Sequence, residues 1–514
     1  MRRLVVASTA LLVMLGVAVV FGYLLLFSAV ADRAARAVPA DTALYVKVYL
    51  QPSTGQQMNL LRLLGRVPGL RDPAALEGKI HEVTQRLLAE AGLDYGADLR
   101  PWLGSEIALA LARADKAGGA PQVLLLAIVR DPVAARVEVP RLMARDGATY
   151  TAGTYRGRRT MIGKGASYAL LDDLLLVANT PDRLRAAIDA EANAAASLAD
   201  SAAFGTAMRT IAADHLASLY LDLRSTTASQ AGGYSTAALA LTAAPDGLHL
   251  DGAAPFARVA AGEPARAAFL LGSKPASLAA WMPRTTRVEM AAFGPKQSLA
   301  ALEGQMAADP SFADARDALN QLRAIAALGL GINVDRDLLS LFDGEAALAL
   351  RGIDLAKPGG LLLLRPSDPA SAADALRRMA DGLLARGSTA SSIAAAGATV
   401  TSLTIPQVGR VAYALVDGVA LLALDPADVS AALEAHAGGD TLASDGRYTR
   451  PFVLAGAHKG NEIWADIPGL ADAAAGIFDP GSELRDILHQ IGELAMTASA
   501  DDDRLQIHAV LTVK

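Results

Sequence analysis

The chain contains two copies of one sequence unit, arranged one after the other. Residues 93–99 followed by 102–111 are matched further along by residues 332–338 followed by 341–350. The pairs Asp131-Pro132 and Thr180-Pro181 recur in the same order as Asp368-Pro369 and Asp425-Pro426. Collinear matches predict an internal duplication, with repeat domain 1 at 39–252, a connector at 253–281 and repeat domain 2 at 282–514. Two copies form a tandem pair and not a solenoid.

Each copy has the pattern of a mixed α and β domain. Short apolar runs such as 43–48, 106–111 and 174–178 predict strands, with turn residues between them. Residues 74–91 place apolar side chains at helical spacing, and Pro140 predicts an interruption of the helix that opens at 131–132. Because the strands arrive through hairpins with few βαβ alternations, we expect the α+β class, each domain being a mainly antiparallel sheet covered by helices.

An apolar run without charged residues, from Leu4 to Ala31, follows a short tail, 1–3, that contains two arginines. The run is longer than the roughly 20 residues that a helix needs to cross a bilayer core. A cleaved signal peptide is the alternative, since Ala29-Val30-Ala31 offers a small-x-small cleavage pattern, but its apolar part is normally about 7–15 residues long. The sequence therefore favours a transmembrane signal anchor at 4–31 that contacts the lipid bilayer, followed by a linker at 32–38.

The flanking charges orient this segment only weakly. Two arginines precede the run, Arg2 and Arg3, and two follow it, Arg33 and Arg36. The positive charge is therefore balanced, and the positive-inside rule does not decide the orientation. A short basic tail ahead of an apolar run is how export signals begin, which favours a cytoplasmic amino terminus. We expect a single-pass inner-membrane protein with the bulk of the chain on the extracytoplasmic side, in the periplasm or at the cell surface.

The composition excludes several functional classes. The 514 residues include 47 Lys and Arg against 53 Asp and Glu, and no basic stripe is present, so we expect no nucleic-acid partner. The absence of cysteine removes disulfide frameworks, iron–sulfur clusters and thiol nucleophiles. The 52% hydrophobic content excludes wholesale disorder, because such a chain can bury a large core.

A family resemblance rests on two segments that follow the apolar run. Residues 38–46 read Val-Pro-Ala-Asp-Thr-Ala-Leu-Tyr-Val, and residues 92–95 and 98–108 read Gly-Leu-Asp-Tyr and Asp-Leu-Arg-Pro-Trp-Leu-Gly-Ser-Glu-Ile-Ala. Over most of 39–514 the chain resembles the bacterial family called domain of unknown function 3352. The resemblance implies a membrane-attached bacterial protein and brings no catalytic residues. In the second copy Leu341-Phe342-Asp343-Gly344 replaces the Trp-Leu-Gly-Ser segment, so a role tied to Trp102 would not be symmetric.

Motifs that bind metals or cofactors are absent from the sequence. The seven histidines are scattered, without the paired spacing of a zinc hydrolase. Gly163-Lys164 is followed by Gly165, where a phosphate loop needs Ser or Thr, and Gly329-Leu330-Gly331 lacks the third glycine of a dinucleotide fingerprint. We therefore expect no cofactor, no metal site and no assigned catalytic residue.

Four acidic residues occur at the same place in both copies: Asp98 with Asp337, and Glu106 with Glu345. Each aspartate precedes a short apolar turn, where its side chain could accept backbone N–H groups. Each glutamate begins a strand, where it could pair with an arginine at the end of the sheet. The functional alternative is that carboxylates from the two copies meet and act as acid and base. We expect the structural role, because carboxylates of this kind are more often structural than catalytic.

Two functions remain open on the sequence. The first is a non-enzymatic binding or scaffold module of the cell envelope, whose partner is an envelope protein or an apolar ligand. The second is an envelope hydrolase that uses carboxylates in a cleft between the repeats. An apolar cavity against a sheet would favour binding, and convergent acidic and histidine side chains in a cleft would favour catalysis. We expect the binding module.

Overall fold

Two units of the chain are each built on one antiparallel sheet. The computed structural model describes residues 32–514, except 68–93, 113–120, 146, 226–232, 258–260, 309–311, 352–358, 408, 457–458, 475–481 and 502. Unit 1 comprises residues up to 225 together with 235–255, and unit 2 comprises 226–234 together with 256–514. The predicted anchor at 4–31 and the predicted helix at 74–91 lie outside the described residues. Within the described ranges, no helix combines the length and the apolar character needed to cross a membrane.

The sheet of unit 1 has ten strands in the order β4-β5-β6-β7-β3-β2-β1-β8-β9-β10, with every neighbouring pair antiparallel. The strands are β1 (Thr42–Tyr49), β2 (Leu103–Ala112), β3 (Val123–Val129), β4 (Tyr150–Tyr155), β5 (Arg158–Gly163), β6 (Ser167–Leu170), β7 (Leu174–Ala178), β8 (Ala217–Asp222), β9 (Thr236–Ala244) and β10 (Gly247–Pro255). The helices are α1 (Thr54–Leu64), α2 (Pro132–Met143), α3 (Pro181–Glu191) and α4 (Ala202–Met208).

The sheet of unit 2 also has ten strands, in the order β14-β15-β16-β17-β13-β12-β11-β18-β19-β20, and is again antiparallel throughout. The strands are β11 (Val288–Phe293), β12 (Glu345–Leu350), β13 (Gly360–Arg365), β14 (Thr389–Ala395), β15 (Ala398–Ile405), β16 (Gly409–Val416), β17 (Val419–Ala423), β18 (Asn461–Asp466), β19 (Ile491–Asp501) and β20 (Arg504–Val513). The helices are α5 (Glu263–Leu271), α6 (Pro295–Ala308), α7 (Ala313–Ile325), α8 (Pro369–Leu384), α9 (Pro426–Gly438), α10 (Gly446–Leu454), α11 (Ile467–Ala474) and α12 (Ser482–Gln490).

Helices cover part of both faces of each sheet. In unit 1, α3 and α4 pack on the face that carries Tyr45 and Tyr220, and α2 packs on the opposite face near Trp102. In unit 2, α9 and α10 pack on the face that carries Trp464, and α8 packs on the opposite face near Leu364. The predicted α+β class is therefore confirmed: antiparallel sheet covered by helices.

Four helix starts, two in each unit, are capped by a side chain that precedes a proline. The side chains of Asp131 and Thr180 in unit 1, and of Asp368 and Asp425 in unit 2, each accept backbone N–H groups of the following turn, with proline as the next residue. Such a cap satisfies N–H groups that have no partner inside the helix, and proline at the first helical position gives up no hydrogen bond.

The predicted interruption at Pro140 is wrong, because α2 continues through it to Met143. Pro140 is exposed and lies in the last turn, so the carbonyl that loses its N–H partner belongs to the solvent-facing side of the helix and can be hydrated. The sequence pattern also did not predict β4 and β14. Most of their residues are exposed, so neither strand shows the alternation of apolar residues that burial imposes.

Candidate functional site

Glu106 fastens the segment that precedes β1 to the interior of unit 1. The side chain projects from β2 and the residue is only 1% exposed. Its Oε1 accepts a hydrogen bond of 2.8 Å from the backbone N–H of Ala34, the first residue of a 3-10 turn, Ala34–Arg36. The free N–H groups at the start of such a turn favour a negative group. Burial, reinforced by the nearby charge of Asp32, raises the pKa of Glu106 to about 7.

Glu345 holds the start of a 3-10 turn in unit 2, as Glu106 does in unit 1. Its Oε1 accepts hydrogen bonds from the backbone N–H groups of Ser277, at 2.7 Å, and Leu278, at 2.9 Å. The Ser277 hydroxyl also donates to Oε2. These groups begin the 3-10 turn Leu278–Trp281. The arginine partner that the sequence suggested for both glutamates is not among their hydrogen bonds within the described chain; backbone N–H groups and one hydroxyl take its place.

Asp98 closes a single helical turn that precedes β2. The turn, Tyr95–Leu99, is capped at its start by the Asp94 side chain, which accepts the N–H of Ala97. Asp98 reaches back to accept the N–H of Asp94 at 2.8 Å and also accepts a hydrogen bond of 2.8 Å from Arg145 Nη2, just after α2. Asp98 thus accepts a backbone N–H group, but from the residue before its own turn, and the cap of the turn is Asp94.

Asp337 occupies the equivalent place in unit 2, in the turn Val334–Leu338. Its Oδ2 accepts the N–H of Asn333 at 3.1 Å, and its Oδ1 accepts from Arg378 Nε, in α8, at 3.0 Å. The neighbouring Arg336 guanidinium donates to both oxygens. The hydrogen bonds from Arg336, followed by that from Arg378, lower the pKa of Asp337 to about 2. The two arginines therefore keep Asp337 as a charged carboxylate. A general acid has to carry a proton, so Asp337 does not suit that role.

Lys47 is the centre of a hydrogen-bonded group in unit 1 that also contains Asp32, Tyr45 and Tyr49. The Lys47 side chain is 2% exposed and its Nζ lies 2.8 Å from Asp32 Oδ2 and from Tyr49 Oη. The Tyr45 hydroxyl donates to Asp32 Oδ1 at 2.8 Å. Burial opposes the ammonium charge, but Asp32 and Tyr49 together outweigh it and the pKa of Lys47 rises. A nucleophilic lysine needs a lowered pKa, so this lysine holds Asp32 in place.

Unit 2 buries carboxyl groups where unit 1 has Tyr45 and Ser218. Glu289 in β11 and Glu462 in β18 are each 1% exposed on neighbouring strands. The Tyr448 hydroxyl donates to Glu462 Oε2 at 3.1 Å. Burial, followed by the charge of Glu462, holds the pKa of Glu289 well above its ordinary value. The sequence comparison missed this pair, since it selected residues that recur in both copies. A glutamate inside an otherwise apolar strand is the signal that marks them.

Within each unit, the predicted aspartate and the predicted glutamate are held by different partners. No described contact joins Asp98 to Glu106 or Asp337 to Glu345, and each glutamate is buried within its own unit. Among the residues that the structure describes, no group of three or more histidine and acidic side chains is arranged to hold a metal ion. These carboxylates therefore serve the fold, each by satisfying backbone N–H groups or arginines.

An apolar depression of about 430 Å³ lies on the outer face of the unit 2 sheet, the face opposite Trp464 and Glu289. Strands β11, β12, β13, β18 and β19 contribute side chains of the same parity to it, which the strand register brings side by side. Its lining includes Met290, Leu348, Leu362, Ile463 and Met496. Met290 is 45% exposed and Ile463 36% exposed, which is unusual for apolar residues at the centre of a sheet.

Small side chains deepen this depression and connect it to a second one. Ala292, Ala346 and Ala498 lie among the larger lining residues and leave room between them. A second depression of about 260 Å³, between α5 and α6, shares Asn461 and Ala498 with the first. The Asn461 side-chain oxygen accepts the Phe293 N–H at 2.9 Å. The two depressions therefore adjoin at Asn461, and besides this carboxamide their mainly apolar lining includes Glu462 in the first and Ser298 in the second.

The protein that emerges is an α+β chain of two antiparallel-sheet units, with an apolar depression on the second sheet and structural carboxylates in both. The chain belongs to the family described as "Protein of unknown function (DUF3352)", whose model matches residues 4–511. The resemblance noted from the sequence is thereby confirmed. No curated protein matches the chain.

Solved structures match the chain only distantly. Crystal form III of TP0453 is 10% identical, with a TM-score of 0.26, over 45% of this chain and 83% of that one. Crystal form I is also 10% identical, with a TM-score of 0.25, over 45% of this chain and 81% of that one. At these TM-scores the likeness carries no argument about this chain.

Proposed function

We propose that this protein is a membrane-anchored, non-enzymatic binding module of the cell envelope that holds an apolar chain, such as an acyl group, on the sheet of unit 2. The observation that carries the proposal is the 430 Å³ depression, whose size falls within the range of small-molecule sites. Its aliphatic and methionine lining suits a flexible apolar ligand, because methionine side chains adapt their shape to what they contact. The carboxylates of Glu106 and Glu345 are engaged with backbone N–H groups, which favours binding over the hydrolase alternative.

The anchor is part of the proposal. The apolar run at 4–31 has the length of a membrane-spanning segment, and Asp32, which directly follows it, is tied to Lys47 inside unit 1. A domain fixed this way would be held within a few residues of the bilayer, on the extracytoplasmic side.

We also propose that the two units are tandem copies of one domain. The strand pairing of unit 2 repeats that of unit 1 strand for strand, and Glu106 and Glu345 hold equivalent 3-10 turns. If the units are copies, they now differ in where the helix after the first strand packs. The helix that follows β1 packs on the end of its sheet, where Gln56 and Asn59 bond to Ala243 of β9. The helix that follows β11 packs mainly on α5 and α7, and the part of the unit 2 sheet that carries Met290 and Ile463 is left uncovered.

Photo-crosslinking tests the binding site. A photoreactive long-chain fatty acid is added to the full chain in lipid nanodiscs, and labelled peptides are mapped by mass spectrometry. We expect label on peptides that contain Met290, Ile463 or Met496. Met290→Glu should abolish this label, because it places a charge in the depression at a half-exposed position that tolerates one. Leu322→Glu, at a position 63% exposed on α7, is the matched control and should keep the label.

Label spread evenly over the exposed apolar residues, or unchanged in Met290→Glu, would refute the proposed site. The anchor is tested separately by alkaline extraction of membranes. The full chain should remain in the membrane fraction and a chain that begins at Asp32 should be released. Recovery of both in the soluble fraction would contradict the anchor and leave the binding site untouched.

A further inference from the structure

We infer that the free edge of β14 is a binding site for an extended peptide segment of another protein, with one apolar side chain of the peptide held in the cavity between β14 and α8. This site is separate from the apolar depression, because it lies at the β14 end of the unit 2 sheet and uses other residues.

The edge of β14 has backbone groups available for pairing. β14 pairs with β15 in an unbroken register, from Thr389 opposite Thr404 to Ala395 opposite Ala398. Within the described chain, no strand pairs with its other side. The outermost strand of a sheet presents a row of N–H and C=O groups that another extended chain can bond.

The edge also lacks the features that normally prevent such pairing. β14 reads Thr-Ala-Ser-Ser-Ile-Ala-Ala, without a charged residue or proline, and its first six residues are exposed. Natural edge strands are commonly protected by lysine, proline, bulges or a covering segment. Seven regular, uncharged residues, with none of these devices among the described residues, fit a strand that is used for recognition.

A cavity of about 270 Å³ lies beside this edge, between α8 and the strands β14 to β16. Leu376, Ala380 and Leu384 line it from the helix, and Ala390, Leu403 and Tyr413 line it from the sheet. Three polar residues, Arg377, Asp381 and Thr401, also line it. Side chains of a strand alternate between the two faces. In a peptide paired with β14, every second side chain would therefore lie on the face of Ala390, and the one beside Ala390 would reach the cavity.

The chemistry of the site selects an extended peptide. Strand addition takes its affinity from main-chain hydrogen bonds and its specificity from pockets for alternate side chains, and β14 with its cavity supplies both. An acyl chain has no N–H or C=O groups to bond along the edge. A helix already satisfies these groups internally, except at its ends.

The test uses the full chain in nanodiscs and uncharged, fluorescently labelled synthetic peptides of alternating Thr and Val that differ only at the central residue. Fluorescence anisotropy should show binding that strengthens roughly tenfold when the central Ala is replaced by Leu, since the larger side chain fills the cavity. N-methylation of alternate peptide nitrogens on the pairing edge should abolish binding, while methylation on the opposite edge should not.

Variants of β14 locate the site. Ala390→Trp should fill the cavity and weaken binding of the Leu peptide at least tenfold. Ala394→Trp, on the same face of the same exposed strand but outside the cavity lining, should bind as the unaltered chain does. An unchanged melting temperature in both variants shows that the sheet is intact. Labelling by the fatty-acid probe should be the same in both, since that probe uses the apolar depression.

Three results would overturn the inference. One is no binding of any peptide of the series, and another is equal binding of the peptides methylated on either edge. The third is self-association of the chain that Ala390→Trp removes without any binding of the peptides, which would make a second copy of this chain the occupant.

Discussion

Replacing Glu106 with glutamine removes a buried charge and keeps a side-chain oxygen that can accept the Ala34 N–H. In the folded chain the pKa of Glu106 is raised from 4.5 to about 7 by burial and by Asp32. The folded state therefore binds this proton more tightly than the unfolded state does. The stabilisation from the protonated carboxyl is fully present below about pH 4.5 and is lost as the pH rises through about 7.

The size of the effect follows from the two pKa values. Each tenfold difference in proton affinity is worth about 1.4 kcal/mol, so the unaltered chain should lose about 3 kcal/mol of unit 1 stability across this pH range. Glu106→Gln should lack this loss, because its amide does not titrate. The two proteins should therefore differ little at low pH, and the variant should gain relative stability as the pH rises.

Pulse hydrogen exchange with mass spectrometry, in a denaturant series at several pH values, follows peptides of β1 and β2 separately from those of unit 2. Asp182→Asn serves as the control, since that side chain is 85% exposed and should leave the pH profile unchanged. Parallel pH profiles for the unaltered chain and Glu106→Gln would show that the Glu106 carboxyl titrates at its ordinary pKa. That result would refute the rise in pKa that we attribute to burial.

Two further substitutions test the structural roles in unit 2. Asp337→Asn should cost about 1–2 kcal/mol at neutral pH, reduced by the exposure of the partners Arg336 and Arg378. The contribution of this carboxylate is present above the ordinary pKa of 3.8 and is lost as the pH falls through about 2; urea denaturation at neutral and acid pH measures it. Gly344→Ala should cost about 1–3 kcal/mol, because the added Cβ would overlap a carbonyl oxygen of β13. Gly304→Ala, in open space on α6, should instead stabilise by up to about 1 kcal/mol in the same assay, and equal effects of the two would contradict the steric argument.

Local features of the chain were predictable wherever a short stretch of sequence contains the whole interaction. The caps at Asp131, Thr180, Asp368 and Asp425 needed only the residue itself and the two or three that follow.

Features that depend on distant partners were predicted incompletely. Glu106 was recognised as structural, but its partner, Ala34, lies 72 residues away, and no local pattern links the two. Glu289 and Glu462 were missed, because they become a pair only when β11 and β18 lie side by side. β4 and β14 were missed because an exposed edge strand needs no apolar alternation.

By itself the sequence determined the α+β class, the helix starts and the repeated acidic residues. The alternation of apolar residues, the capping residues and the repeated segments can all be recognised from residues that are close together in the sequence. Only the tertiary structure decided which surface stays open. The depression on unit 2 is formed by side chains from five strands that are up to about 200 residues apart, so its existence depends on register and on where α6 packs. An apolar residue in a strand has the same local signature whether a helix covers it or not, and the difference between core and binding surface is therefore a property of the assembled sheet.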